Sequence, residues 1–287
     1  MKILVTGATG RLGSKVVKAL MERVPVNELA VSVRNPEKAA ALQAEGVEVR
    51  HGNFDQPESL DIAFAGIDRL LIISTDSENE LKARQHINAV DAAKRAGVPY
   101  IAYTSMANAA ESRNRLAPPH HKTEQAVLAA GIPYTLLRNN CYLENELSSI
   151  QGAVAGAPWI TSAGEGKAGW APQEDFAEAA ANVLTGEGHE NKTYELSGPL
   201  LTMQGLVQEL EEVLEKEIPL KKVDDETFEH ILKEYGLPDP VISLVTGIQH
   251  DIRQGTMEVE NSDFEKVLGR SVTPMRDALN NLVKVQA

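Results

Sequence analysis

The sequence predicts an α/β protein with a doubly wound parallel sheet and a smaller α/β lobe toward the carboxyl end. Three observations carry this prediction. A short β-branched run, Ile3–Val5, leads directly into a glycine-rich turn, and the apolar spacing becomes helical from Leu12. Strand-like and helix-like segments then alternate through the first half of the chain. Past Leu143 the alternation loosens, which indicates a second, less regular unit.

The first half contains six predicted strands separated by helices, most of them ended by glycine. We expect residues 1–150 to form a Rossmann-like domain with right-handed crossovers between its parallel strands. The predicted strands are Ile3–Val5, Leu29–Val33, Val47–Arg50, Arg69–Ile73, Tyr100–Tyr103 and Pro133–Leu137. The predicted helices are Leu12–Arg23, Pro36–Glu45, Pro57–Ala65, Glu80–Ala96 and His121–Ala130.

Residues 151–287 are predicted to form a smaller lobe that covers the ligand site, with some segments returning to the first domain. The stretch 164–169 lacks the residue order of a phosphate-binding P-loop and is interpreted as a mobile turn. The predicted elements of this region are two short strands, Pro158–Ser162 and Lys192–Leu196, and three helices, Glu174–Leu184, Met203–Leu214 and Glu226–Tyr235.

The glycine turn between the first strand and the first helix is typical of dinucleotide-binding proteins. Gly7 permits the tight turn, Gly10 allows a pyrophosphate to approach the backbone, and Gly13 allows the helix to pack closely on the strand. The helix N-terminus then offers free N–H groups to phosphates. The alternative is a glycine-rich turn without a ligand. The residues predicted to bind the cofactor here are Gly7, Ala8, Thr9, Gly10, Arg11, Leu12 and Gly13.

Arg34 follows the second strand, at the position where dinucleotide-binding folds read the adenosine ribose. An acidic residue there would accept hydrogen bonds from the ribose hydroxyl of NAD, whereas a guanidinium favours the additional phosphate of NADP. Lys38 and Arg11 add positive charge nearby. The sequence therefore predicts NADP(H) as the cofactor, with a solvated loop arginine as the alternative interpretation.

Polar residues follow the other predicted strands, where the carboxyl ends of a parallel sheet collect ligands. Asn53 and Phe54 are expected at the adenine. Ser74, Thr75, Thr104 and Ser105 are expected beside the nicotinamide half of the cofactor. Each of these residues alone is equally typical of a turn or a helix cap.

Composition narrows the function classes. The 287 residues include 28 Lys plus Arg and 41 Asp plus Glu, a net charge of −13 that disfavours nucleic-acid binding. No signal-peptide pattern or membrane-length apolar run is present, so we expect a cytoplasmic protein. The single cysteine, Cys141, excludes an internal disulfide and is expected to be a small packing residue. His120 and His121 have no suitably spaced third ligand, so no metal site is expected.

Several motifs together resemble the NmrA-like branch of the atypical short-chain dehydrogenases, and within it the bacterial NAD(P)H:quinone oxidoreductases. The resemblance extends over nearly the whole chain. It implies a monomer or small homo-oligomer that binds NADPH in its first domain and passes a hydride to a quinone. The segments that carry it are Thr6–Gly13, Val33–Lys38, Tyr103–Ser105, Gly131–Asn139, Tyr194–Gly198 and Gly236–Asp239.

The same resemblance suggests positions for individual residues. His120 falls near the position at which related reductases carry a catalytic lysine, and Asn53 near the position of an aspartate at the adenine. Asn140 and Cys141 depart from the family pattern, in which close relatives have glycine and a bulky aromatic residue, and this leaves the shape of the substrate pocket open.

The chain lacks the Tyr-x-x-x-Lys pair with which ordinary short-chain dehydrogenases protonate an alkoxide, since none of its six tyrosines has lysine four residues later. A quinone needs less help, because the oxyanion formed from it has a conjugate-acid pKa of roughly 10, against 15.7 for water, a difference of roughly 8 kcal/mol. Hydrogen-bond donors can therefore suffice. We expect His120, Asn139, Asn140 and Tyr142 to orient the quinone or stabilise its oxygens.

The sequence is also compatible with two other functions. A non-catalytic NADP(H) sensor would report the redox state to a protein partner, with the acidic segments Glu209–Glu217 and Glu226–Glu234 as a docking face or simply a solvated one. A sugar-nucleotide epimerase is disfavoured by the missing tyrosine–lysine pair.

Overall fold

The computed structural model describes residues 1–260 and 263–284. Strands and helices alternate as the sequence predicts. The strands are β1 (Ile3–Thr6), β2 (Leu29–Val33), β3 (Glu48–His51), β4 (Arg69–Ile72), β5 (Ile101–Met106), β6 (Tyr134–Asn139), β7 (Trp159–Thr161), β8 (Lys167–Gly169), β9 (Lys192–Leu196), β10 (Leu200–Thr202) and β11 (Leu220–Lys222).

The helices pack on both faces of the sheet and build the second lobe. They are α1 (Arg11–Met21), α2 (Ala40–Ala44), α3 (Pro57–Ala63), α4 (Asn79–Arg95), α5 (Ala117–Ala130), α6 (Leu147–Val154), α7 (Gln173–Thr185), α8 (Met203–Leu214), α9 (Asp225–Glu234), α10 (Asp239–Arg253), α11 (Asp263–Leu268) and α12 (Met275–Lys284). Short 3-10 turns occupy Val26–Glu28, Pro36–Ala39 and Leu143–Glu146. Within the described residues, no helix combines the length and apolar character needed to cross a membrane.

The central sheet has seven strands in the order β3-β2-β1-β4-β5-β6-β9. Every neighbouring pair is parallel, so all carboxyl ends lie along one edge. The order of strand addition reverses between β1 and β4, and such a switch point opens a crevice for a ligand at that edge. This is the Rossmann-like architecture that the sequence predicts.

Successive residues of β1 point to opposite faces of the sheet, as strand geometry requires. Ile3 and Val5 lie in the apolar core shared with α1, α7 and α11, whereas Leu4 lies in the core shared with α3, α4 and α5. Both faces are therefore covered, which explains why the central strands β1, β2 and β4 are mostly apolar rather than alternating.

The segment 173–196 belongs with the sheet. Helix α7 packs on α1, where Arg23 donates to Asn182 Oδ1 at 3.1 Å, and β9 pairs with β6 from Thr135–Lys192 to Asn139–Leu196. The sheet therefore has seven strands, not the six predicted for it. The sequence predicts the strand Lys192–Leu196 but not its place in this sheet, because β9 reaches its partner only after a long excursion into the second lobe.

Two predicted strands are too short at their carboxyl ends. β5 extends to Met106 and β6 to Asn139, and the two pair along their full length. Thr104 and Ser105 thus lie inside a buried strand, not after it. Helix α5 begins four residues earlier than predicted, with Pro118 and Pro119 in its first turn, where a missing N–H costs nothing.

The second lobe contains two small sheets, in which β7 pairs with β11 in parallel and β8 with β10 antiparallel. Its apolar core includes Trp159 and Trp170, both almost fully buried. The mobile-turn interpretation of 164–169 is wrong for Lys167–Gly169, which forms β8. At Gly166 an added Cβ would lie 2.0 Å from the carbonyl oxygen of Ile252 in α10, so this turn packs directly on a helix.

The second lobe meets the sheet at the loop that follows β5. Arg115 donates to the carbonyl oxygen of Leu244 in α10 at 2.6 Å, and the Asn114 amide lies 3.3 Å from Thr256 Oγ1. These hydrogen bonds join the lobe to the loop at the carboxyl end of β5.

Candidate active site

The glycine turn has the backbone geometry that the sequence predicts. Gly7 adopts a left-handed φ of +63°, and the Gly10 N–H donates to the Gly7 carbonyl at 2.9 Å. A Cβ on Gly13 would lie 2.2 Å from the same carbonyl oxygen. Only glycine allows α1 to approach β1 this closely, so the turn is built for close contact between backbones.

The N-terminus of α1 is open. Gly10 caps it without a side-chain hydrogen bond, no acidic residue occupies its first turn, and its first internal bond runs from the Ser14 N–H to the Gly10 carbonyl. The backbone N–H groups of residues 11–13 have no acceptor within the described chain. Such an end attracts phosphate oxygens. Thr9 is exposed beside it, while Ala8 and Leu12 are buried beneath it.

Arg34 and Lys38 are exposed at the same edge of the sheet, and Arg11 is exposed on the glycine turn itself. Arg34 lies two residues beyond Ser32, which pairs with Thr6 at the end of β1. In the described part of the chain none of these three cations forms an ion pair with a carboxylate. They therefore provide uncompensated positive charge where the sequence predicts a ribose phosphate.

Asn53 and Phe54 lie after β3, and each is partly engaged within the protein. The Asn53 side-chain oxygen accepts from the Asp55 N–H at 3.0 Å, which closes a turn. Phe54 is half-buried, with its ring centroid 6.4 Å from that of His86. The Asn53 amide nitrogen and the Phe54 ring are the groups left for an adenine.

The polar residues of β4 and β5 are largely engaged within the protein. Thr104 Oγ1 accepts from the Ser74 N–H at 2.9 Å, and the Ser105 hydroxyl donates to Glu124 at 2.6 Å. Thr104 and Ser105 are 1% and 4% exposed. Both residues lie within β5, and their hydroxyl groups are already hydrogen-bonded within the protein. Neither side chain is therefore free for the predicted contact with the nicotinamide. Ser74 and Thr75 are half-buried at its rim.

A buried ionic cluster lies beneath this end of the sheet. Arg138 donates to Glu124 at 2.9 and 2.7 Å and to Glu195 at 2.9 Å, which joins α5, β6 and β9. Hydrogen bonding to Glu124 raises the pKa of Arg138, and burial raises the pKa of Glu195 although Arg138 opposes it. Since Glu195 also accepts from the Asn108 N–H at 3.0 Å, the cluster fixes the loop after β5.

Asn139, at the end of β6, and Tyr142, just after it, keep polar atoms free for a ligand. The Asn139 amide donates to the Tyr142 oxygen at 2.8 Å, which leaves the Tyr142 hydroxyl hydrogen free and the buried Asn139 Oδ1 without a donor in the described chain. Burial raises the pKa of Tyr142 to about 12, so its hydroxyl stays protonated. The Tyr142 ring packs edge-on against Phe176 at 4.9 Å.

Asn140 was also predicted to bind the quinone, but its side chain is engaged within the protein. Its amide nitrogen donates to Ser197 Oγ and to the Met257 carbonyl, both at 3.0 Å, and its oxygen accepts from the Cys141 N–H at 2.9 Å. Every polar atom of this side chain is used within the protein, so Asn140 has no free polar group for a quinone. Cys141 is buried, as predicted for a packing residue, and burial raises the pKa of its thiol to about 12.

His120 lies in the first turn of α5 and is 7% exposed. Its Nδ1 is 2.9 Å from the hydroxyl of Tyr103, which in turn is 3.1 Å from Nδ1 of His86. Burial lowers the pKa of both histidines to about 3, with a further contribution from the charge of Lys82. Both rings are therefore neutral near pH 7.

Sequence reasoning missed Lys82, His86 and Tyr103. Lys82 is 8% exposed and has no carboxylate partner among the described residues, and burial lowers its pKa against the opposing charge of Asp76. Lys82 and His86 are four residues apart on α4 and therefore lie on the same face of that helix. The same helix buries several alanines and Val90, so a lysine and a histidine at this spacing were the sequence feature that could have indicated a buried polar group. No group of three His, Cys, Asp or Glu residues in the described ranges is arranged to hold a metal ion.

Comparisons with known proteins identify the family. The model of the NmrA-like family matches residues 1–269. Quinone oxidoreductase 2 of Escherichia coli (strain K12) is 38% identical over 284 residues, 99% of both chains. The crystal structure of Citrobacter sp. triphenylmethane reductase complexed with NADP(H) matches with a TM-score of 0.95 and 40% identity over 98% of this chain and 100% of that one. The E. coli NADPH-dependent quinone oxidoreductase complexed with NADPH matches with a TM-score of 0.93 and 37% identity over 98% and 99%.

Proposed function

This chain belongs to the NmrA-like family, and we propose that it is an NADPH-dependent oxidoreductase that transfers a hydride to a quinone. The observation that carries the proposal is the open glycine turn with its three uncompensated cations, in a chain that shares 38% identity with a quinone oxidoreductase over 99% of its length. The turn fits a phosphorylated dinucleotide, and NADPH bound there supplies the hydride.

The residues proposed to bind the cofactor act at its two ends. Free N–H groups at the start of α1 hold the pyrophosphate, and the guanidinium of Arg34, supported by Arg11 and Lys38, holds the ribose phosphate. The Asn53 amide and the Phe54 ring contact the adenine. Ser74, Thr75 and the orphaned Asn139 Oδ1 line the nicotinamide side.

The acceptor side supplies hydrogen bonds in place of a strong acid. A neutral His120 and the Tyr142 hydroxyl are donors suited to a phenolate-like oxygen, whose protonation in water needs little assistance. The missing Tyr-x-x-x-Lys pair is therefore consistent with a quinone and unsuited to a simple ketone.

A triphenylmethane dye is a second class of acceptor, favoured by the likeness to the Citrobacter reductase. Such a dye is a carbocation and accepts a hydride without a proton. Quinone reduction ends in protonated oxygens, whereas dye reduction does not. A variant that loses only the hydrogen bonds to the acceptor oxygen should therefore reduce quinones more slowly and still reduce the dye.

The sensor alternative loses part of its docking face. Arg276 of α12 pairs with Glu209 and Glu212 of α8 at 2.7 and 2.5 Å, so that acidic surface is partly neutralised within the protein.

A cytoplasmic location and a monomer or small homo-oligomer complete the proposal. Cell fractionation tests the location, and light scattering tests the oligomeric state.

Steady-state oxidation of NADPH in the presence of a set of quinones tests the proposed function. We expect turnover that saturates with quinone and a strong preference for NADPH over NADH. Binding of NADPH without turnover on any acceptor would instead support the sensor.

A further inference from the structure

Three buried aromatic side chains form a continuous hydrogen-bonded chain between the sheet and the helices that cover it. His86 comes from α4, Tyr103 from β5 and His120 from α5. The tyrosine hydroxyl lies between the two histidines, 3.1 Å from His86 Nδ1 and 2.9 Å from His120 Nδ1. His86 and Tyr103 are 0% exposed, and His120 is 7% exposed.

The inner end of this chain has a fixed direction. The backbone N–H of Thr75 donates to His86 Nε2 at 2.9 Å, and a backbone amide can only donate. A neutral imidazole whose Nε2 accepts must carry its proton on Nδ1. His86 Nδ1 lies 3.1 Å from Thr123 Oγ1, which can accept this proton because the threonine hydroxyl donates its own hydrogen to the Pro119 carbonyl at 2.7 Å.

The direction of the remaining hydrogen bonds follows from that tautomer. The Tyr103 hydroxyl cannot donate to His86 Nδ1, because that nitrogen already carries a hydrogen. Of its two histidine neighbours, only His120 Nδ1, at 2.9 Å, can then accept its single hydrogen. His120 then accepts at Nδ1 and, being neutral, carries its own proton on Nε2. This nitrogen has no hydrogen-bond partner in the described chain and is not fully enclosed, so it remains available as a donor.

We propose that Tyr103 and His86 are positioning residues that hold His120 as an Nε2–H donor to the acceptor oxygen. This inference rests on the proposed function for the identity of the acceptor, but the tautomer itself does not depend on it. As the hydride adds to the quinone, one oxygen gains the negative charge, and the His120 Nε2–H stabilises it by a hydrogen bond. Since the chain ends at a backbone N–H, it cannot be refilled with protons through His86. The proton that completes the hydroquinone therefore comes from solvent.

Nitrogen-15 NMR of the histidine side chains in the full-length protein with NADP+ bound tests the tautomer directly. We expect His120 to show a protonated Nε2 and an unprotonated, hydrogen-bonded Nδ1. Tyr103→Phe should remove the hydrogen bond at Nδ1 and shift its resonance. The matched control is Tyr100→Phe, because Tyr100 is also buried next to the same sheet and its hydroxyl bonds Thr135 at 2.5 Å, away from His120.

Kinetics test the consequence for catalysis. Tyr103→Phe should lower kcat for the quinone about 10-fold with KM for both substrates nearly unchanged, and His120→Ala about 100-fold. His120→Gln restores an amide N–H donor and should recover part of the loss. In the His120→Gln background, Tyr103→Phe should have little further effect, because glutamine has no tautomer to fix.

Several results would overturn the inference. A His120 protonated at Nδ1, or charged, at neutral pH contradicts the tautomer. Equal kcat losses in Tyr103→Phe and Tyr100→Phe show a merely structural role. If the unmodified protein oxidises no NADPH with any quinone, the proposed function fails, while the NMR spectrum still decides the tautomer.

Discussion

The two ends of the proposed site are built in opposite ways. At the cofactor end, the contacts come from backbone atoms of one continuous segment, Gly7–Gly13, and from three exposed cations. At the acceptor end, they come from buried side chains on five separate elements, among them the ionic cluster of Glu124, Arg138 and Glu195.

This difference separates binding from positioning. The cofactor end needs only room and charge, so a local change there should affect affinity for the cofactor and little else. The acceptor end depends on polar groups that satisfy one another, so removing one group leaves its buried partners unsatisfied. Changes at the acceptor end should therefore affect stability or turnover more than cofactor binding.

The largest effect is expected when the ionic cluster is broken. Arg138→Met leaves Glu124, with 4% side-chain exposure, without its cation, and should lower the free energy of unfolding by about 3–5 kcal/mol. Arg95→Met is the matched control, because Arg95 pairs with Asp61 on the surface, where such a pair is worth at most about 1 kcal/mol. Urea denaturation measures both. Similar losses for the two variants would contradict the contrast.

The cofactor end is tested by Gly13→Ala. The added methyl group meets the Gly7 carbonyl oxygen at 2.2 Å, so α1 must move away from the turn and NADPH binding should weaken about 100-fold. Gly152→Ala is the control, because its Cβ would find only Ala157 at 3.8 Å. Calorimetry measures affinity and circular dichroism checks folding. A folded Gly13→Ala variant with normal NADPH affinity would show that the turn does not hold the cofactor.

Cofactor choice is tested by Arg34→Asp. The carboxylate repels the ribose phosphate and accepts hydrogen bonds from a ribose hydroxyl, so the preference for NADPH over NADH should fall by about 10–100-fold. Lys18→Asp changes the net charge equally on an exposed part of α1 and should leave the preference unchanged. An unaltered preference in Arg34→Asp would remove Arg34 from the site.

The buried histidines make stability depend on pH. Burial lowers the pKa of His86 and His120 to about 3 from 6.5, so below pH 6.5 the unfolded chain binds more protons than the folded one. The free energy of unfolding should therefore fall as the pH decreases through this window. His120→Gln should reduce the slope by about 1.4 kcal/mol per pH unit between pH 6 and 4. Parallel curves for the two proteins would mean that His120 is not buried in its neutral form.

The sequence predicts the backbone of the strand–turn–helix segment at the cofactor end well, because the information there is local. Strand, glycine turn and helix follow one another within a dozen residues, and Arg34 sits directly after the next strand. The acceptor end depends on contacts between distant segments. Neither the Asn140–Met257 contact, which ties up Asn140, nor the pairing of His86 with Tyr103 can be read from spacing along the chain. The mistaken ends of β5 and β6 have the same origin, since pairing with each other and with β9 extends those strands.

The most direct test of the account is a single-turnover measurement of NADPH consumption by a quinone, with enzyme in excess over NADPH. We expect rapid oxidation that requires quinone, that needs about 100-fold more enzyme in Gly13→Ala and that is about 100-fold slower in His120→Ala, with Gly152→Ala unchanged. Tight binding of NADPH that survives mixing with every quinone unoxidised would contradict the account.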